Sequence, residues 1–135
     1  MPNLIAILLL GVLAMVWGCS SQPVRDIGLD KLALRPAEKS LSQGIRDYEE
    51  GDYKAATQNL YSALASGLTF KSDSVTAHKY LAFIHCSSER EKQCREEFRK
   101  AFEIDPNFEL KKTEMGHPLW TPVYQDVRAE FKKRK

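Results

Sequence analysis

The residues encode an all-α fold, a short solenoid of about two helical hairpins closed by a C-terminal capping helix. Three observations lead there. Small and apolar residues recur at one offset, since Gly44 to Ala82, Ala56 to Cys94, Leu60 to Phe98 and Ala63 to Ala101 are each 38 residues apart. Within each copy the apolar residues step by three and four, the spacing that lines one face of an α-helix. After Pro122 a last stripe, Val123, Tyr124, Val127 and Phe131, shows the same period.

The chain of 135 residues opens on a different composition. Residues 1–18 contain no Asp, Glu, Lys or Arg, so all 38 of these charges follow them. Leu4 to Val16 is an apolar run of 13 residues, short of the ~20 needed to span a bilayer as a helix. It reads as the core of a signal peptide over residues 1–18. The residues that follow, Val16-Trp17-Gly18-Cys19-Ser20-Ser21-Gln22-Pro23, resemble a bacterial lipobox, with small Gly18 directly before the cysteine. Bulky Trp17 stands where a smaller residue is usual, and no Lys or Arg precedes the apolar run. The resemblance implies lipidation at Cys19, a mature chain of 117 residues and, with Ser20 rather than Asp next, sorting to the outer membrane. Such a length buries roughly 65% of the unfolded surface. Residues 19–35 mix Ser, Gln, Pro, Gly and charges, which suits a tether, and the domain is expected over residues 36–135.

From Pro36 onward each hairpin can be built in turn. In the first, Gly44, Gly51, Tyr53, Ala56, Leu60, Ala63 and Leu64 fall on the small, turn, aromatic and alanine positions of the tetratricopeptide pattern, which they resemble. The stripe Tyr53, Ala56, Leu60, Ala63 and Leu64 predicts a helix over Tyr53 to Ala65. The offset of 38 exceeds the usual repeat of about 34, and the segment Ser66 to Ser74 is expected to hold the extra residues as a connection. In the second hairpin Tyr80, Leu81, Phe83 and Ile84 predict a helix from about Val75 to Cys86, and Phe98, Ala101 and Phe102 its partner, from Glu91 or Lys92 to Ile104. Ser87 or Ser88 is placed to cap the turn or the second helix, with Glu91 positioned to complete a capping box with Ser88. Asp105-Pro106 ends the repeat.

Lipidation at Cys19 leaves Cys86 and Cys94 as a pair in an oxidising compartment, where neighbouring thiols are expected to form a disulfide. Antiparallel packing of the second hairpin sets them opposite each other. Metal binding with His78, His85 and His117 is the alternative. His85 and Cys86 are adjacent and so face different sides of a helix, and the spacing matches no zinc pattern. His78 and His85 read instead as a surface or interhelical hydrogen-bonding pair.

Beyond Pro106, the residues Gly116, Pro118 and Pro122 break the chain before the final helix, which is expected to cover the open face of the second repeat. His117, Trp120 and Tyr124 are the candidates for partner binding. The competing expectation is that Trp120 tucks under the last helix. Lys132-Lys133-Arg134-Lys135 reads as a frayed, solvated end, with contact to anionic envelope polymer or headgroups as the functional option.

Taken together, the lipobox at Cys19, the repeat around Tyr48 to Leu64, the strings Ala77 to Cys86 and Gln93 to Ala101, Asp105 to Phe108, and Gly116-His117-Pro118-Leu119-Trp120 resemble the tetratricopeptide lipoproteins of bacterial type VI secretion, the TssQ-like family. Thr121 stands where that ending has Gly. The resemblance implies a non-enzymatic accessory of an envelope complex, lipid-anchored and facing the periplasm, that binds a protein partner. A pilotin-like assembly factor for a pilus or type II pore, and a peptidoglycan binder using Trp120, Tyr124 and the basic tail, are the other two readings.

A net charge of +2 is too small for the electrostatic footprint of a nucleic-acid binder. The sequence has no Gly-X-Ser-X-Gly elbow, phosphate-cradling glycine loop or His-Glu-X-X-His pair. No enzyme activity, cofactor or resident metal is expected. Glu49, Glu50 and Asp52, and likewise Glu89, Glu91, Glu96 and Glu97, alternate with Lys and Arg as solvated helix faces do.

Overall fold

The computed structural model describes residues 34–134. The expectations for residues 1–33, the signal peptide, Cys19 and most of the tether, lie outside the described residues, as does Lys135. Five helices follow in order, α1 (Pro36–Glu49), α2 (Tyr53–Ser66), α3 (Lys71–Ser87), α4 (Glu91–Ile104) and α5 (Thr121–Lys133). Helices α1 and α2 pair as one hairpin and α3 and α4 as a second. Helix α3 rests on both helices of the first hairpin, and α5 packs on α4. The result is a short tetratricopeptide-like solenoid with a C-terminal helix.

The first hairpin is tight because Gly44 leaves room for Leu60. A Cβ at Gly44 would lie 2.8 Å from Leu60 Cγ and 3.1 Å from the Leu60 backbone nitrogen. Ala56, Leu60 and Ala63 are fully buried at this crossing. Pro36 begins α1, where its missing N–H costs nothing. Asp52 caps α2 by accepting the Ala55 N–H at 2.9 Å. The Glu38 carboxylate accepts both the backbone N–H and the hydroxyl of Thr69, at 3.1 and 2.6 Å, while Arg35 donates to the same hydroxyl. The Thr69 hydrogen bonds hold the Glu38 carboxyl below its ordinary range. This clasp fastens the start of α1 to the link between the hairpins.

Both hairpins turn in the same way. Gly51 has φ +83°, and the Asp52 and Gly51 N–H groups bond to the Asp47 and Tyr48 carbonyls at 2.8 and 3.0 Å. In the second hairpin Glu89 has φ +58°, and the Arg90 and Glu89 N–H groups bond to the His85 and Cys86 carbonyls at 2.9 and 3.3 Å. Each is a Schellman closure, and the repeat offset carries residue onto residue through the whole turn. The same offset sets Cys86 and Cys94 where the first hairpin has Tyr48 and Ala56. The two cysteines are joined by a disulfide, their Cα atoms 5.1 Å apart. Closing so short a loop stabilises by about 2–3 kcal/mol in the chain-entropy account.

Three local expectations are corrected. The link between hairpins is Gly67 to Phe70, because α3 begins at Lys71 and not near Val75. The residues beyond the usual repeat length therefore extend α3, which has 17 residues against 14 in α1. Asp73 in its first turn suits the positive helix end, and the Thr76 hydroxyl donates to the Ser72 carbonyl, so Ser72, Asp73 and Ser74 are helical despite their loop-like composition. Ser88 does not cap α4. Its hydroxyl donates back to the Ile84 carbonyl at 2.8 Å, and α4 starts from Arg90 without a side-chain cap. The basic C-terminal residues are helical through Lys133, where Lys132 and Lys133 complement the negative helix end.

Replacing Gly44 by Ala is expected to lower unfolding free energy by about 1–3 kcal/mol, read from urea denaturation, because the intruding atom meets backbone as well as side chain. Reducing the Cys86–Cys94 bond should shift the same curve down by about 2–3 kcal/mol. An unchanged midpoint in either case would contradict the packing described.

Candidate functional site

The segment after α4 determines which candidate residues face solvent. It leaves Ile104, crosses the outer face of the second hairpin and enters α5 at Thr121. Trp120 turns inward and stacks on Phe83 with ring centroids 4.3 Å apart, and its indole N–H donates to the Glu114 carbonyl at 2.9 Å. His117 lies flat on the other face of the indole, 3.4 Å between centroids and 3° between planes, and its Nδ1 accepts the Leu119 N–H. Lys79 of α3, only 6% exposed, pairs with Glu114 at 2.5 Å and sits over the Tyr80 ring. Tyr124 is buried between Phe98 and Phe102, and its hydroxyl donates to the Phe108 carbonyl.

Two of the three partner-binding candidates are therefore packing residues. Trp120 is 8% and Tyr124 1% exposed, so neither ring offers a face to a peptide or a glycan, and His117 is half-covered as the outer member of the stack. The tucked position of Trp120 places its neighbours outside. Pro118 is exposed, and Leu119 is 49% exposed. The competing expectation, that Trp120 tucks inward, describes its position, and the large apolar residue exposed in the Pro118-Leu119-Trp120 triplet is Leu119.

Leu119 borders an open groove of about 310 Å³ together with Cys86, Glu89, Glu91, Pro118 and Val123. Its apolar lining comes from the helix-entry segment and the disulfide. Its charged lining residues are Glu89 of the second hairpin turn and Glu91 at the start of α4.

A second cluster lies between the hairpins, centred on Glu97, which is 3% exposed and so is not part of a solvated face. His78 Nδ1 lies 2.6 Å from Glu97 Oε2, and Lys100 and the Tyr61 hydroxyl donate to Oε1 at 3.1 and 3.2 Å. The Tyr61 oxygen is also 3.2 Å from His85 Nε2. His85 Nδ1 is buried without a partner among the described residues. An unpartnered lone pair costs less than an unpartnered N–H, which assigns the proton to Nε2. The chain then reads His85 N–H to Tyr61 O–H to Glu97. His78 and His85 thus bond across helices, through Glu97 and Tyr61 and not as a pair.

Burial raises the affinity of the Glu97 carboxyl for a proton, but hydrogen bonds from His78 and Lys100 outweigh it and hold Glu97 below its ordinary range. Burial, then the nearby Arg90, presses His85 down. Tyr61 is pushed up to about 12, by burial and then by the Glu97 charge, so it remains a donor near neutrality. Among the described residues no group of three His, Cys, Asp or Glu is arranged to hold a metal ion, and no helix is long and apolar enough to cross a membrane.

Comparison with known proteins found no matching family model, no related curated protein and no similar solved structure.

His85 gives the acid response a sign. The unfolded chain protonates this ring near 6.5, before the folded one does, so its contribution to stability is lost as pH falls below about 6.5. Glu97 acts in the same direction below its ordinary value of 4.5. Denaturation midpoints of His85→Gln should therefore fall less than those of the parent between about pH 7 and about pH 5; parallel curves would exclude this role. Glu97→Ala is expected to cost about 2 kcal/mol at neutral pH.

Proposed function

We propose that the chain is a non-enzymatic lipoprotein, anchored through lipid on Cys19 to the outer membrane and facing the periplasm. Its helical-hairpin domain binds a protein segment as a TssQ-like accessory of a type VI secretion envelope complex. One observation carries most of the weight, the Cys86–Cys94 bond across the second hairpin. Such bonds persist in oxidising compartments, and that agrees with the leader and lipobox residues at 1–19. A short solenoid of helical hairpins supports partner binding, since this architecture offers extended surfaces. The most conspicuous acid and histidine side chains support the non-enzymatic reading, because Glu97, His78 and His85 are engaged with one another's partners and with Tyr61 and Lys100.

Two measurements test this reading. Cys19→Ala should move the protein from the membrane fraction to the soluble fraction and abolish incorporation of labelled palmitate. Crosslinking mass spectrometry on the anchored parent should recover secretion-complex subunits. Recovery of a pilus or type II pore subunit would transfer the assignment to an assembly factor, and retention on isolated sacculi would transfer it to a peptidoglycan binder.

A further inference from the structure

We propose that the groove between the second hairpin turn and the start of α5 docks a partner-protein segment in which an apolar side chain is flanked by lysine or arginine. This rests on the reading that the domain binds a protein segment, and it specifies where and with what chemistry.

The two hairpin turns provide an internal comparison. They share the same backbone closure, and their left-handed residues are Gly51, with φ +83°, and Glu89, with φ +58°. A Cβ at Gly51 would meet nothing within 4 Å, so glycine relieves backbone strain there and does not make room. At the equivalent place the second turn carries a glutamate, in a conformation that disfavours any side chain. Local stability favours glycine at this position. The glutamate that stands there instead lines the groove with Glu91.

The surrounding charges leave that carboxylate available. Glu89 makes no ion pair among the described residues, and Glu91, 72% exposed, has only a long 3.6 Å contact with Arg95. Arg95 itself also reaches Asp126 and Glu130 of α5. Arg90, the cation next to Glu89, lines a separate cleft with Tyr53 and Lys54 of α2. The groove therefore has a negative rim over an apolar floor made by Val123, Pro118, the disulfide at Cys86 and the half-exposed Leu119. Its volume of about 310 Å³ accepts one large aliphatic side chain. Charge complementarity sets cations beside that side chain, and an acidic segment would meet two carboxylates.

The test uses the full lipidated chain in phosphatidylcholine nanodiscs and fluorescence anisotropy of short labelled peptides centred on Lys-Leu-Lys, Glu-Leu-Glu or Lys-Ser-Lys. Empty nanodiscs serve as the blank. The Lys-Leu-Lys peptide should bind, more weakly at high salt, and both control peptides should bind at least about tenfold more weakly. Glu89→Gly and Leu119→Ser should each weaken Lys-Leu-Lys binding by about five- to tenfold. Glu89→Gly should meanwhile leave the thermal midpoint unchanged or higher, which separates lost binding from lost folding. Equal binding of the Glu-Leu-Glu peptide, parent-like affinity in both variants, or no binding of any peptide would overturn the proposal. If secretion subunits crosslink through another face, the groove assignment falls while the proposed function stands. Peptide binding without such subunits gives the reverse.

Discussion

A helical hairpin buries the seam between its own two helices and leaves a second apolar face for a neighbour to cover. Among the described residues the second hairpin is the last, and its outer face carries Phe83, Phe98 and Phe102. The path beyond Ile104 follows from covering those rings. Trp120 goes onto Phe83, Tyr124 between Phe98 and Phe102, and Phe108 and Phe131 against Phe102. Each large side chain withdrawn from water contributes about 2–3 kcal/mol. The crossing segment is also fixed by directional bonds, from Trp120 to Glu114, Lys79 to Glu114 and Tyr124 to Phe108. Trp120 and Tyr124 are thus consumed in closing the solenoid, and the surface left at that end is set by their neighbours.

The joint between the hairpins has a different character. Leu60, Leu81 and Ile84 supply an apolar layer, and beside it Glu97 gathers donors from α2, α3 and α4. A charge taken out of water gains little net energy even when paired. Its partners must nevertheless stay in place, because leaving the buried Glu97 carboxylate unmatched is costly. The apolar layer supplies most of the adhesion, and the polar group resists sliding of one hairpin along the other.

The sequence showed the repeat clearly because contact at a helix crossing depends on side-chain size, and size is written in single residues such as Gly44, Ala56, Ala63, Ala82 and Ala101. The cysteine pair was legible because antiparallel hairpins set residues opposite one another by spacing alone. Glu97 was not, since a glutamate among Arg95, Glu96, Arg99 and Lys100 has the local pattern of a solvated face. What buries it is Tyr61 and His78, 36 and 19 residues away in the chain, and no periodicity within α4 records them. The first turn of α3 was missed for a related reason. Ser72, Asp73 and Ser74 favour loops and helix starts almost equally, and composition alone cannot choose between them. Ser88 illustrates the same ambiguity, its hydroxyl serving the helix behind it and not the one ahead.

The clasp at Thr69 bears on how the domain takes mechanical load. A pull arriving at Leu34 is received first by Arg35 and Glu38, whose partner lies between the hairpins and not within the first. Tension would otherwise peel α1 from α2 one turn at a time, and low forces suffice for peeling because each contact breaks alone. With Thr69 held, the pull is shared between α1 and the link before α3, and each exposed hydrogen bond of the clasp adds only about 1 kcal/mol. For a pull applied at that end, the fastening adds the link between the hairpins to the contacts that share the first load.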